Sequence, residues 1–109
     1  MNWINLQTEE QLNDIIEKSK ETPQVIFKHS TRCSVSSMAK NRLDKKQNPE
    51  GLDFYYLDLI KFRGISNKIA ADFNVTHKSP QVIIIKDGLS VYDESHSGIS
   101  MDDILSHAS

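Results

Sequence analysis

Three short runs of β-branched and aromatic residues, QVIFKH (24–29), LDFYYLDL (52–59) and QVIIIK (81–86), each follow a stretch whose apolar residues recur at helical spacing. Leu12, Ile15, Ile16 and Ser19 mark the first such stretch. Thr8-Glu9-Glu10-Gln11 before it has the hydroxyl-to-amide spacing of a capping box. These features predict a helix over 8–20, stopped at Thr22-Pro23. Val35, Met38, Ala39, Arg42 and Leu43 predict a second helix from Ser34, which Asn48-Pro49-Glu50-Gly51 breaks. Ile65, Ile69, Ala70 and Phe73 predict a third over 64–73, followed by a loop that ends at Pro80. Lys86-Asp87-Gly88 is a hairpin signal, with Leu89 to Tyr92 pairing back. Ser100-Met101-Asp102-Asp103 opens a last short helix with an acidic first turn.

The predicted order is α-β-α-β-α-β-β-α. Helices between strands require parallel pairing through right-handed crossovers, and the hairpin adds antiparallel strands. The expected fold class is α/β: a central four-stranded mixed sheet flanked by helices. At 109 residues, without repeats or a linker, the chain reads as a single domain over 1–109.

Composition narrows the function classes. No basic run exceeds Lys45-Lys46, and the net charge is −2, so no nucleic-acid partner is expected. The longest apolar run, Val82-Ile83-Ile84-Ile85, is far below the roughly 20 residues needed to span a bilayer, so no membrane partner is expected. The segment Met1 to Leu6 lacks the charged start and apolar core of a signal peptide, which reads as a cytoplasmic location. One cysteine cannot form an intrachain disulfide or a cysteine-based zinc site, and His29, His77, His96 and His107 show no ligand spacing. No metal is expected.

A lone cysteine is ordinarily a small buried hydrophobe. Cys33 is delivered differently. A buried strand ends at His29, Ser30-Thr31-Arg32 makes a polar turn, and Cys33 stands where the next helix begins. Unpaired N–H groups and the positive end of the helix dipole favour a thiolate there. Arg32 adds a permanent cation next in sequence. Ser36 takes the place of the second cysteine of a C-x-x-C pair, so a mixed disulfide on Cys33 has no internal thiol to resolve it. The Ser36 hydroxyl is expected to donate to the Cys33 thiolate. His29 reads as a strand-end histidine rather than a base, and Trp3 as the anchor of an N-terminal segment.

The element order, a cysteine after the first core strand, and Pro80 before Gln81-Val82-Ile83-Ile84-Ile85-Lys86-Asp87-Gly88 together resemble the thioredoxin fold, from residue 6 to 107. More narrowly, Lys28-His29-Ser30-Thr31-Arg32-Cys33-Ser34-Val35-Ser36 resembles the Lys-His-Ser-x-x-Cys-Pro-x-Ser stretch of the monothiol, YtxJ-like bacilliredoxins. Here Ser34 stands where that family usually carries proline, which loosens the first helical turn.

The resemblance implies a monothiol thiol–disulfide oxidoreductase that removes bacillithiol, or a similar low-molecular-weight thiol, from mixed disulfides on S-thiolated client proteins. Bacillithiol is then a co-substrate, and no cofactor is bound. Pro80 is expected to be cis and to set the Ser79 backbone beside the sulfur. Thr31, Ser34, His77, Lys78 and Ser79 are expected to line the same groove. Lys28, Arg32 or Lys78 is expected to pair with the carboxylates of bacillithiol's malate portion. Two other readings stand beside it: a non-catalytic thioredoxin-like binding module, and a redox sensor in which modified Cys33 is the stored signal.

Overall fold

The computed structural model describes residues 1–109. Its elements run β1 (Trp3–Asn5), α1 (Glu10–Lys18), β2 (Gln24–His29), α2 (Ser34–Asp44), β3 (Asp53–Asp58), α3 (Arg63–Asp72), β4 (Gln81–Lys86), β5 (Leu89–Ser95) and α4 (Met101–Ala108), with a short 3-10 turn over His96–Gly98 before α4. The strands form one mixed sheet in the order β1-β3-β2-β4-β5. β3 runs parallel to both β1 and β2. β4 runs antiparallel to β2 and to β5.

The sheet has five strands, one more than the sequence pattern predicts. The added strand is β1, three residues paired to Phe54, Tyr55 and Tyr56. It is too short to show alternation. It is held by Trp3, whose indole packs on Phe27 and Phe54 while its Nε1–H donates to Asp44 Oδ1 at 2.7 Å. β5 also continues past Tyr92 to Ser95, because Asp93, Glu94 and Ser95 find partners in Ile83, Val82 and Gln81.

Strand alternation divides the core into two layers. Ile26, Tyr55, Leu57, Ile83 and Ile85 meet Leu12 and Ile15 of α1 and Ile65 and Ile69 of α3. Val25, Phe27, Phe54, Val82 and Ile84 meet Ala39 and Leu43 of α2 and Met101 and Ile104 of α4. Both faces are covered, which is why β2 and β4 read as nearly continuous apolar runs.

Local chemistry sets the element ends. Thr8 Oγ1 accepts from Gln11 N–H while Gln11 Oε1 accepts from Thr8 N–H, the reciprocal pair of a capping box. Ser100 Oγ caps α4 by accepting from Asp103 N–H at 3.2 Å. Asp87 and Gly88, at φ 53° and 76°, both take the left-handed conformation that a two-residue hairpin turn demands. No helix is long and apolar enough to cross a membrane.

For the site, the register of β2 against β4 matters most. Lys28 lies opposite Gln81. One step further along the antiparallel ladder sets the His29 end of β2 level with Pro80. The turn that leads to Cys33 and the loop that leads to Pro80 therefore leave the sheet at the same end.

Candidate active site around Cys33

Cys33 is the N-cap residue of α2, extended at φ −113° and ψ 120°, and its side chain makes no capping hydrogen bond. Its N–H donates to the Ser30 carbonyl at 3.2 Å, which closes the turn after β2. Its own carbonyl accepts from Ser37 N–H at 3.1 Å, which starts the helix. The thiol is unpaired and half-buried. Position at the first turn of α2 sets it against backbone N–H groups that have no partner within the helix. Thr31, Arg32 and Ser34 flank it and are exposed.

Ser36 is wholly buried in the first turn of α2. Its hydroxyl serves other partners than the thiol. Oγ accepts from Ser30 N–H at 3.0 Å and lies 2.7 Å from His29 Nδ1. The hydroxyl and the imidazole share one hydrogen bond, whose donor is set by the His29 tautomer. The expected bond from Ser36 to Cys33 is not formed: Oγ is held by Ser30 and His29 instead.

His29 is the residue that sequence reasoning leaves out of the site. It is 5% exposed and stacks on Phe27, with the Tyr56 ring on another side. Burial pushes its pKa below the ordinary value, and the Lys40 ammonium adds to this, against the carboxylates of Asp58 and Asp44 and the Ser36 contact. The available signal was strand parity. His29 shares a face with Val25 and Phe27, the face that α2 covers.

The same parity moves Lys28 away from a ligand. Lys28 is wholly buried on the opposite face of β2. Its Nζ donates to the Ser66 carbonyl of α3 at 3.1 Å and to His77 Nδ1 at 3.3 Å. Burial lowers its pKa to about 8. The expectation that Lys28 pairs with a substrate carboxylate is corrected: its ammonium holds α3 and the loop before β4. The donor from Lys28 also fixes His77 Nδ1 as an acceptor. Burial, then Lys28 and Arg63, keep the His77 pKa low.

The loop before β4 carries the remaining candidates. His77 and Lys78 are exposed, Ser79 is half-buried and Pro80 is buried. The Ser79–Pro80 peptide is cis. The wholly buried Gln81 ties this loop down: its Nε2 donates to the Thr76 carbonyl at 3.0 Å and its Oε1 accepts from Lys78 N–H at 3.3 Å. Ser79 Oγ is buried with no hydrogen-bond partner. The ion pairs of the molecule are Lys20–Glu17, Lys40–Asp44 and Lys68–Asp72, so Arg32 and Lys78 remain uncommitted.

A lone thiol thus stands at a helix start, with a serine three residues on and a cis proline at the same end of the sheet. The family model for the monothiol bacilliredoxin BrxC matches residues 4–104. The chain belongs to this family. Bacilliredoxins are thiol–disulfide oxidoreductases, and their exchange is with mixed disulfides of bacillithiol. Solved structures agree on the fold. A protein with a thioredoxin fold is 28% identical with a TM-score of 0.85, over 97% of this bacilliredoxin and 93% of its own chain. Thioredoxin of Malassezia sympodialis is 17% identical with a TM-score of 0.78, over 99% of this chain and 92% of that one. Thioredoxin of Fasciola hepatica is 21% identical with a TM-score of 0.73, over 94% and 97%. The thioredoxin-like α/β fold expected from the sequence is the fold observed.

Proposed function

We propose that Cys33 is the exchanging thiol and that it removes bacillithiol from S-thiolated client proteins. The observation that carries this is the position of Cys33: the one sulfur nucleophile of the chain is the half-buried, unpaired N-cap of α2. The Cys33 thiolate attacks the bacillithiol sulfur of a client mixed disulfide. The client's sulfur leaves as a thiolate and takes a proton, and a Cys33–bacillithiol disulfide remains. Ser36 offers no second thiol, so an external thiol resolves that disulfide by attack at the bacillithiol sulfur, and Cys33 leaves as a thiolate.

The first turn of α2 turns its unpaired N–H groups towards the sulfur, and Arg32, next in sequence, adds an exposed cation. Thr31, Ser34, His77, Lys78, Ser79 and Pro80 form the surround of the bound disulfide. Ser79 Oγ, buried and unpaired, supplies a polar group that a bound thiol compound satisfies. Arg32 and Lys78 supply exposed cations for carboxylates on the small thiol. The reaction belongs in the cytoplasm, where single thiols stay reduced.

The test is transfer. A bacillithiolated client incubated with the reduced protein loses the mass of bacillithiol, and Cys33→Ser abolishes the loss. If the client keeps its adduct with the wild-type chain, Cys33 belongs to a binding module or a sensor instead.

A further inference from the structure

We infer that Lys28 is a positioning residue for His77: its buried ammonium and the Ser66 hydroxyl both hold Nδ1, so the imidazole turns its one N–H, at Nε2, outward from the loop before Pro80 as a donor for a carboxylate on the bound thiol compound. The carboxylate is that of the proposed small-thiol substrate, so this half of the inference rests on the proposed function.

The bond directions follow from the donors. A lysine ammonium has three protons and no acceptor. Lys28 Nζ lies 3.3 Å from His77 Nδ1, so Nδ1 accepts. Ser66 Oγ lies 3.4 Å from the same nitrogen. Ser66 is wholly buried and its hydroxyl has no other partner, so its proton goes to Nδ1 as well. A proton on Nδ1 would point at the ammonium. The ring proton therefore sits on Nε2. His77 is exposed, and Nε2 has no partner within the chain.

The backbone is held as firmly as the ring. The wholly buried Gln81 donates to the Thr76 carbonyl at 3.0 Å and accepts from Lys78 N–H at 3.3 Å, which pins the residues on both sides of His77. A donor fixed in this way loses little freedom when an acceptor arrives.

The surroundings select the sign of that acceptor. The charged groups that bear on His77 are Lys28 of β2 and Arg63 of α3, both cations. Lys78 follows in the loop and makes no ion pair. Burial and the two cations keep the imidazole in its neutral form, which leaves Nδ1 open to Lys28. The ammonium behind the ring polarises it, so that Nε2–H is the stronger donor. A carboxylate meets both the donor and the positive field. The loop leaves the sheet at the same end as the turn to Cys33, which sets His77 on the side of the thiol.

Nitrogen-15 NMR of the reduced, full chain near pH 7 reads the His77 ring without any exchange reaction. Wild type carries the proton on Nε2 alone. Lys28→Met releases the constraint: both tautomers appear, and the protonation midpoint of His77 rises because a neighbouring cation is gone. Ser66→Ala keeps Lys28 and so keeps the proton on Nε2. If Lys28→Met does not fold, wild type and Ser66→Ala still decide the tautomer. A purely structural role for Lys28 lowers stability and leaves the ring as it was. Reduced bacillithiol is then titrated in, beside cysteamine, a thiol without a carboxylate. Bacillithiol moves the Nε2–H resonance downfield and cysteamine does not. Lys28→Met raises the dissociation constant read from that shift about tenfold. A proton on Nδ1 in wild type or in Ser66→Ala, a ring unmoved by Lys28→Met, or an Nε2–H indifferent to bacillithiol overturns the inference. A chain that meets these results and yet fails the transfer assay loses the proposed reaction and keeps the donor.

Discussion

Lys28 Nζ stands 3.3 Å from His77 Nδ1, so a wholly buried ammonium in the second strand reaches across the sheet face to the loop that precedes Pro80. No carboxylate neutralises it; its other partner is the Ser66 carbonyl. The lysine therefore ties the groove together at a cost in charge burial.

That cost has a pH signature. The unfolded lysine keeps its proton to about 10.5, whereas the folded one releases it near 8. Below 8 both states are charged and the cost is carried in full. Between these values the unfolded state holds more protons, so stability rises with pH. Wild type gains about 2 kcal/mol over Lys28→Met between pH 7.5 and 10. Urea denaturation of both proteins at the two pH values measures it, and parallel pH profiles contradict it.

Gln81 gives a second prediction. Gln81→Leu strips partners from the Thr76 carbonyl and the Lys78 amide at once. The expected loss is about 1–2 kcal/mol in urea, because two backbone groups lose part-buried bonds. Hydrogen exchange of the Lys78 amide accelerates, while that of β2 follows the global stability.

Ser36→Cys restores a second thiol at the buried position of a C-x-x-C pair. The introduced thiol attacks the Cys33–bacillithiol disulfide, bacillithiol leaves as a thiol, and an internal disulfide forms. Mass spectrometry then finds the variant two mass units lighter than its reduced form and free of adduct. The wild-type chain keeps the adduct until an external thiol is added.

Trp3 holds the strand that the sequence pattern does not reveal. Trp3→Ala removes the packing on Phe27 and Phe54 and the bond to Asp44. The expected cost is about 2–3 kcal/mol, below the range for a fully buried tryptophan because Trp3 is only half-buried. Denaturant unfolding followed by circular dichroism checks it, since the change removes the only tryptophan.

Much of this was legible in the residues. The bounds of β2 and β4 follow from apolar runs that end at a turn and at a proline, and Asp87-Gly88 fixes the hairpin through backbone sterics. The cysteine's place at a helix start follows from the hand-over between two periodicities. The edge strand at Trp3 was not legible, since three residues show no period and the pairing partner lies some 50 residues away. Lys28 was misread for a different reason. In a strand covered on both faces, adjacent polar residues point to opposite layers. Whether Ser66 and His77, or Ser36, meet them there is decided by tertiary packing.

The central claim is that Cys33 takes bacillithiol from a client. Its most direct test is to mix the reduced protein with a bacillithiolated client, quench with acid, digest, and map adducts by mass spectrometry. The account predicts bacillithiol on the peptide that contains Cys33, with a matching loss from the client. An unmodified Cys33 peptide beside a client that still carries its adduct contradicts it.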